Sequence, residues 1–315
     1  MKRKLSCIFL ILSAGVFLLN GCEQKLQFDL KDQVPVPVVN SILRAGDDSV
    51  RVRVTWTKNV YEQGDLPAEA NALVKLYKNG SLVGECNYLQ DGWYSIVHHV
   101  EATELYRVEA SIPERPLVWG ETRVPALLLH ASIECDSLRD RIINRWTDRE
   151  EEKNYYWLSG TYSDNGSLDD TSRMVLRSYI RTNSALPDAF NRSFDFDEEI
   201  PAEYDYYVRI EDSGLSGKDI ELSYKGRRYY SYYWKPDTGC YKSTRFILSL
   251  DENYDRYLKS SIMNDEYLWD MDSEPLFYSP LWTYSNIHGG TGLVASYSKF
   301  EDVFVKVFTP KERPL

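Results

Sequence analysis

The sequence of 315 residues predicts a mainly β protein with two β-sandwich-like domains. Many short segments alternate apolar and polar residues at period 2, and Gly, Asn, Asp or Pro separate them. Convincing helical spacing occurs in one segment alone. Apolar residues (43%) and aromatic residues (14%) are frequent enough to form a core. We therefore expect an immunoglobulin-like or transthyretin-like sandwich, followed by a second β-domain with loop insertions.

The first 22 residues resemble an export signal. Basic residues occupy positions 2–4, and an apolar run covers 5–19, which is too short to span a bilayer comfortably. The run ends in Leu19-Asn20-Gly21-Cys22, which is similar to a bacterial lipobox, in which the Cys receives diacylglycerol and the new amino terminus is acylated, for example with palmitate. We predict a signal peptide over 1–21 and a lipidated Cys22; the alternative is an ordinary secretory signal with an incidental Cys.

The first domain is predicted to follow a short tether. Residues 22–37 are polar and end in alternating Val and Pro, which favours an extended chain. The predicted sandwich covers 38–126. Within it, 49–57 alternate strictly, with Val on one face, and Asn79-Gly80 and Asp91-Gly92 are turn signals.

The second predicted domain covers 127–315. Segments 141–147 and 155–160 have strand character, and we expect them to pair around the charged turn between them. Residues 163–205 are polar and acidic, so we predict insertions there. Asp251 is a predicted N-cap for a helix near 252–263, in which Tyr254 and Leu258 share one face.

Charge and motif content exclude several classes of function. The formal net charge is −11, and from Cys22 onward 34 bases face 48 acids, or −14, so we expect no nucleic-acid binding. The four His residues form no metal-ligand spacing, and no catalytic or nucleotide-binding fingerprint is present. We therefore expect no catalytic residues, no cofactor and no enzymatic activity. A hydrolase with two carboxylates across a cleft remains an alternative.

The sequence offers two candidate sites. The first is an acidic loop with oxygen ligands suited to Ca²⁺, although ordinary solvated acids explain it better, so no metal site is predicted. Its residues are Asp164, Asn165, Asp169 and Asp170. The second is an aromatic run, for which a strand buried on both faces or packed under the helix is the favoured interpretation, followed by a protein interface and then by a glycan platform. Its residues are Tyr229, Tyr230, Tyr232, Tyr233 and Trp234.

Three cysteines remain after the signal and the lipidated Cys22 are set aside. They are Cys86, Cys135 and Cys240, so at most one disulfide can form. Buried or free thiols are the favoured interpretation, and the pairing stays open.

The order of several motifs resembles one family. The helix from Asp251 is followed by Ser273-Glu274-Pro275 and by the segment 285–293, Ser-Asn-Ile-His-Gly-Gly-Thr-Gly-Leu. Together with the lipobox, Asn154-Tyr155-Tyr156 and the Asp and Gly-Lys elements at 210–218, this resembles the lipoprotein family known as domain of unknown function 4249 (DUF4249). The motifs are structural in character, with Gly for turns and Asn for capping. His288 departs from the usual polar or acidic residue at its position, which weakens any catalytic role for it.

The resemblance implies an outer-membrane lipoprotein of Gram-negative bacteria. Such proteins accompany TonB-dependent transporters, which implies an accessory or ligand-capture subunit with a transporter as partner. No enzymatic activity or substrate comes with the family. The alternative is a glycan-binding or adhesion lipoprotein that uses exposed aromatic residues. Whether the chain faces the periplasm or the cell surface stays open.

Overall fold

The computed structural model describes residues 34–59, 62, 64–136, 141–150, 153–163, 208–211, 215–225, 239–270 and 283–308. These residues form a mainly β structure with three sheets and one α-helix, as the sequence predicts. The predicted signal peptide (1–21), Cys22, the acidic loop (164–170) and the aromatic run (229–234) all lie outside the described residues. The strands are β1 (Pro37–Arg44), β2 (Ser49–Trp56), β3 (Leu73–Lys78), β4 (Ser81–Glu85), β5 (Asn87–Tyr88), β6 (Trp93–Val97), β7 (Leu105–Ser111), β8 (Val118–Arg123), β9 (Leu129–Asp136), β10 (Arg141–Thr147), β11 (Tyr155–Ser163), β12 (Val208–Glu211), β13 (Asp219–Lys225), β14 (Gly239–Leu250) and β15 (Thr291–Phe308), and the helix is α1 (Glu252–Asp270).

The first sandwich has two sheets around one core. A sheet of order β4-β3-β7-β8 faces the β15-β1-β2-β6-β5 part of an eight-stranded sheet. The alternation in β2 places Val50, Val52 and Val54 inward, where they pack with Val74 and Leu76 of the facing sheet. Burial of such side chains stabilises the sandwich by roughly 1.5–3 kcal/mol each.

Both turn signals are confirmed. Asn79 and Gly80 have φ values of 50° and 78°, and Asp91 and Gly92 have 49° and 77°. Two consecutive positive φ values are what a type I′ turn requires, and Asn or Asp followed by Gly adopts them at low cost. The first pair joins β3 to β4, and the second precedes β6.

Strand β15 joins the amino-terminal and carboxy-terminal parts of the chain. Its first residues, Thr291 to Tyr297, pair in parallel with β1, and Tyr297 to Phe308 pair antiparallel with β14. The eight-stranded sheet therefore runs through both parts, in the order β12-β11-β14-β15-β1-β2-β6-β5. Pro35–Leu315 forms one compact unit.

The predicted ranges 38–126 and 127–315 remain a prediction about domains. A second hydrophobic core lies among residues 133–247, whereas the first lies among 39–124 together with Val294. The second sequence range thus contributes a strand to the first core.

The predicted pairing of 141–147 with 155–160 is wrong. Strand β10 pairs with β9 and β13 in a three-stranded sheet, whereas β11 pairs with β12 and β14 in the eight-stranded sheet. The two strands meet face to face instead, since Trp146 and Tyr156 pack in the second core with ring centroids 5.2 Å apart. Alternation identified the strands but carried no information about their partners.

The helix begins as predicted and extends further. The Asp251 carboxylate accepts a hydrogen bond from the backbone N–H of Tyr254 (3.0 Å), which is the N-cap contact. The helix continues to Asp270 rather than ending near 263, because 263–270 contains neither Pro nor Gly. Tyr254 and Leu258 pack against Trp157, Leu250 and Tyr297, so α1 covers the outer face of β11, β14 and β15.

Candidate binding surface

Part of the outer face of the eight-stranded sheet is exposed on β1, β2 and β6, although Val38 and Thr55 of the same face are buried. Helix α1 covers the part of this face that lies on β11, β14 and β15. Four apolar side chains are exposed here, and Val97 is the most exposed large apolar residue among those described. Their exposed fractions are 89% for Val97, 55% for Leu89, 46% for Ile42 and 38% for Trp93.

Strand register brings two arginines beside these apolar groups. Arg53 lies opposite Trp93 on β6 and opposite Asn40 on β1, and Leu89 continues the same row through its N–H bond to the Trp93 carbonyl (2.8 Å). The Arg53 guanidinium carbon is 5.6 Å from the centroid of the Trp93 ring, within the range of a cation–π contact. Arg51 precedes Arg53 by two residues on β2, so its side chain lies on the same face of the sheet.

We call this surface the arginine–tryptophan face. It consists of Asn40, Ile42, Arg51, Arg53, Leu89, Trp93, Ser95 and Val97. With strands about 4.8 Å apart and alternate residues about 6.8 Å apart, it measures roughly 14 Å in each direction. The three strands that build it contain no Asp, Glu or Lys.

The arginines of this face have no carboxylate partner among the described residues. Arg53 donates through Nε to the carbonyl oxygen of Asp91 (3.4 Å), a weak contact, and no ion pair involves it or Arg51 there. Both positive charges are therefore available to an external group.

The opposite outer face of the first sandwich is built differently. Its charges form ion pairs. The Lys75 ammonium nitrogen lies 3.8 Å from a Glu85 carboxylate oxygen, and a guanidinium nitrogen of Arg107 lies 2.7 Å from a Glu109 carboxylate oxygen. Trp119 is half-buried there, because His288 stacks on it at 4.0 Å between centroids and the Arg107 guanidinium lies 4.0 Å from its ring. Its charges are therefore paired within the face, as on ordinary solvated surface.

The family-like segment around 285–293 forms a structural junction. The Asn286 side chain donates to the carbonyl oxygen of Val294 (2.7 Å) and accepts from the N–H of Val294 (2.9 Å). Gly292 has a φ of 118°, and a Cβ there would lie 2.2 Å from the Val39 carbonyl oxygen of β1. His288 pairs with Trp119 through two backbone hydrogen bonds. The segment thus links β8 to the start of β15, and its residues act on packing.

Asp251 ties the helix to both sheets of the first sandwich. Its carboxylate accepts from the Thr122 hydroxyl of β8 (2.8 Å) and from the Ser296 N–H of β15 (3.1 Å), besides capping α1. Burial raises the pKa of Asp251, and these hydrogen bonds partly oppose that rise.

An ion pair is buried where α1 meets the eight-stranded sheet. Arg209 of β12 donates to both Asp255 carboxylate oxygens (2.6 and 2.9 Å), and the Trp157 indole N–H donates to the same group (2.8 Å). Arg209 and Asp255 are 2% and 1% exposed, so this bidentate pair is shielded from solvent. It is a stability element rather than a reactive site.

The remaining sequence candidates fall into two groups. His98 contacts the Tyr106 hydroxyl (3.2 Å) and His99 contacts Asp48 (2.8 Å), so the adjacent histidines have separate partners. Cys86 is a free, buried thiol, which is the interpretation favoured from the sequence. Burial raises its pKa to about 11. Asp164, Asn165, Asp169 and Asp170, and likewise Tyr229, Tyr230, Tyr232, Tyr233 and Trp234, lie outside the described residues, so both site predictions stay predictions.

Two structural findings concern metals and membranes. Across the described ranges, no three His, Cys, Asp or Glu residues are grouped so that they could hold a metal ion. Among the described residues, no helix is both long and apolar enough to cross a membrane.

Sequence comparison decides the family. The model of the family described as Domain of unknown function (DUF4249) matches residues 23–302. The chain belongs to this family. The resemblance noted in the motifs is therefore confirmed at the level of the family, and the DUF4249 match covers both cores and the arginine–tryptophan face. No curated protein matches the chain significantly.

Three solved structures show distant similarity to this DUF4249 chain. One, described as a carbohydrate-binding protein of Bacteroides uniformis, has 10% identity and a TM-score of 0.23, with 69% of this chain and 89% of that chain covered. A membrane-anchored protein of Corynebacterium diphtheriae has 11% identity and a TM-score of 0.22, with 67% and 54% covered. β-Glucuronidase 3 of Bacteroides uniformis has 9% identity and a TM-score of 0.20, with 67% and 23% covered. Similarity this low carries no argument about function.

The arginine–tryptophan face was missed from the sequence, although a signal for it was present. The Val positions of 49–57 were recognised as inward-facing, which already places Arg51 and Arg53 outward. What alternation could not supply was the strand order, since only the pairing of β2 with β6 brings Trp93 beside Arg53.

Proposed function

We propose that this chain is a non-enzymatic, lipid-anchored binding subunit of the bacterial cell envelope that docks a protein through its arginine–tryptophan face. The composition of that face supports the proposal. Trp and Arg are enriched at the centres of protein interfaces, whereas Lys, Glu and Asp are depleted there. Strands β1, β2 and β6 have this composition; Ile42, Arg51, Trp93 and Val97 are exposed on it, and Arg53 is half-buried.

The proposed anchor is Cys22, acylated after cleavage of 1–21 and inserted in the outer membrane. Two or more acyl chains give stable membrane binding, so the domain is held near the bilayer through its tether. The family resemblance names a TonB-dependent outer-membrane transporter as the proposed partner, with this chain as an accessory or ligand-capture subunit.

Affinity purification of the full lipidated chain from cross-linked envelopes tests this function. The expected result is recovery of a β-barrel transporter at near-equal amounts. A Cys22→Ser variant should lose incorporation of a clickable palmitate analogue and should recover less transporter. Recovery of the chain alone, with intact lipidation, contradicts the proposal. A glycan array with purified protein tests the alternative function as a glycan-binding lipoprotein.

A further inference from the structure

We infer that the arginine–tryptophan face binds an acidic segment of a protein, with Arg51 and Arg53 pairing its carboxylates and Trp93 packing against its apolar residues. This inference rests on the proposed function and adds to it the chemistry of the contact and of the partner segment. Three observations support it: the exposure of outer side chains such as Val97 and Trp93, the register of β1, β2 and β6, and the charges on these strands.

Charge is the first argument. The chain from Cys22 onward has a net charge of −14, yet this face carries Arg51 and Arg53 with no acid on its three strands. Other described arginines, such as Arg107 and Arg145, are paired with carboxylates at 2.7–2.8 Å. A guanidinium offers a planar set of donors that fits a carboxylate with two parallel hydrogen bonds. The complement of this face is therefore an acidic group.

The apolar groups favour a protein over the other anionic ligands. Val97, Leu89 and Ile42 are aliphatic, and they gain by contact with aliphatic side chains but little by contact with sugar hydroxyls. A membrane surface rich in phosphate usually requires a cluster of four to eight basic residues, and this face has two. Arg and Trp are among the residues that most often carry the binding energy of a protein interface.

The size of the face sets the kind of contact. A standard protein interface buries about 800 Å² on each partner, and a square of roughly 14 Å on a side is smaller than that. The face therefore fits the centre of an interface, or the whole footprint of a short acidic segment, surrounded by weaker polar contacts.

Site-specific photo-cross-linking in native envelopes tests the inference. A photoreactive amino acid replaces Val97, which is 89% exposed, or Leu82, which is 53% exposed on the opposite outer face and serves as the matched control. The full-length lipidated protein is irradiated, and the products are identified by mass spectrometry. The expected result is a protein adduct from position 97 whose cross-linked peptide contains Asp or Glu, with little adduct from position 82.

Second-site variants establish the chemistry of the contact. Arg51→Gln with Arg53→Gln, or Trp93→Ala, should lower the adduct yield from position 97 at least tenfold, and high salt should lower it in isolated membranes. Arg123→Gln removes an exposed arginine of β8 that donates to the Thr103 carbonyl (2.9 Å), and it should leave the yield unchanged. Thermal unfolding of each purified variant shows whether the fold is intact.

The outcomes separate this inference from the proposed function. A lipid or polysaccharide adduct at position 97, or a yield that does not respond to the arginine and tryptophan substitutions, overturns the inference. Protein adducts from position 82 alone contradict both the inference and docking through this face, whereas a protein adduct from position 97 that does not respond to those substitutions leaves the proposed docking standing. An envelope in which neither position gives a protein adduct, and affinity purification recovers no partner, contradicts both.

Discussion

Asp255→Leu should destabilise the protein strongly, because it removes the carboxylate to which Arg209 and the Trp157 indole donate. Both charged side chains are at most 2% exposed, so the remaining guanidinium charge would stay out of water without this counter-ion. Breaking a buried ion pair by removal of one partner costs about 3–5 kcal/mol. For the compact unit of residues 35–315 that corresponds to a fall in Tm of about 5–9 °C.

A double variant gives the sharper form of this test. Arg209→Met combined with Asp255→Leu replaces both charges by apolar groups of similar volume, and such replacements are often neutral or stabilising. We therefore expect the double variant to recover much of the Tm lost in Asp255→Leu. The solvent-exposed pair of Arg145 with Glu221 is the control, and Glu221→Gln should change Tm by no more than about 1 °C.

Differential scanning calorimetry of the purified protein measures all of these variants. The reasoning is refuted if Asp255→Leu lowers Tm by less than about 2 °C, or if the double variant is less stable than the single one. Either result would mean that helix α1 is held by its apolar contacts rather than by this pair.

Three further predictions concern the junction, the helix cap and the buried thiol. Gly292→Ala places a Cβ 2.2 Å from a β1 carbonyl oxygen at a φ of 118°, so urea denaturation should show that the free energy of unfolding falls by roughly 3 kcal/mol or more. Gly46→Ala has open space around its Cβ, so its free energy of unfolding should fall by only about 1 kcal/mol. Burial raises the folded-state pKa of Asp251 above its ordinary value of 3.8, so folding favours the protonated carboxyl, and this contribution to stability is lost as the pH rises through the folded pKa. The Tm of Asp251→Asn relative to the native protein should therefore increase as the pH rises from below 3.8 towards neutral, and a flat difference would contradict the burial. Because the pKa of Cys86 is about 11, about one molecule in a thousand carries the thiolate at pH 8, and peptide mapping should show alkylation of this residue only after denaturation.

Local patterns predicted local structure well in this chain. The valines of β2, the positive φ values at Asn79-Gly80 and Asp91-Gly92, and the cap by Asp251 all follow from interactions within a few residues. These features depend on backbone sterics and on side-chain burial at period 2, which a sequence shows directly.

Long-range pairing was not predictable in the same way. Strand β15 joins β1 across roughly 250 residues, and β10 and β11 occupy facing sheets although they are adjacent in sequence. Strand propensity is similar for every partner, so nothing in a single strand specifies which edge it joins. The arginine–tryptophan face depends on such pairing, and it therefore became visible only in the folded chain.

Protection of Val97→Cys in native envelopes tests the central claim most directly. The full-length lipidated protein is treated with a small maleimide in intact envelopes and after purification, with Leu82→Cys as the control and the native cysteines as background. If the arginine–tryptophan face is docked on a partner, position 97 should react at least tenfold more slowly in the envelope than in the purified protein, and position 82 should react equally in both. Equal reaction of position 97 in both preparations would contradict the claim that this face is an interface.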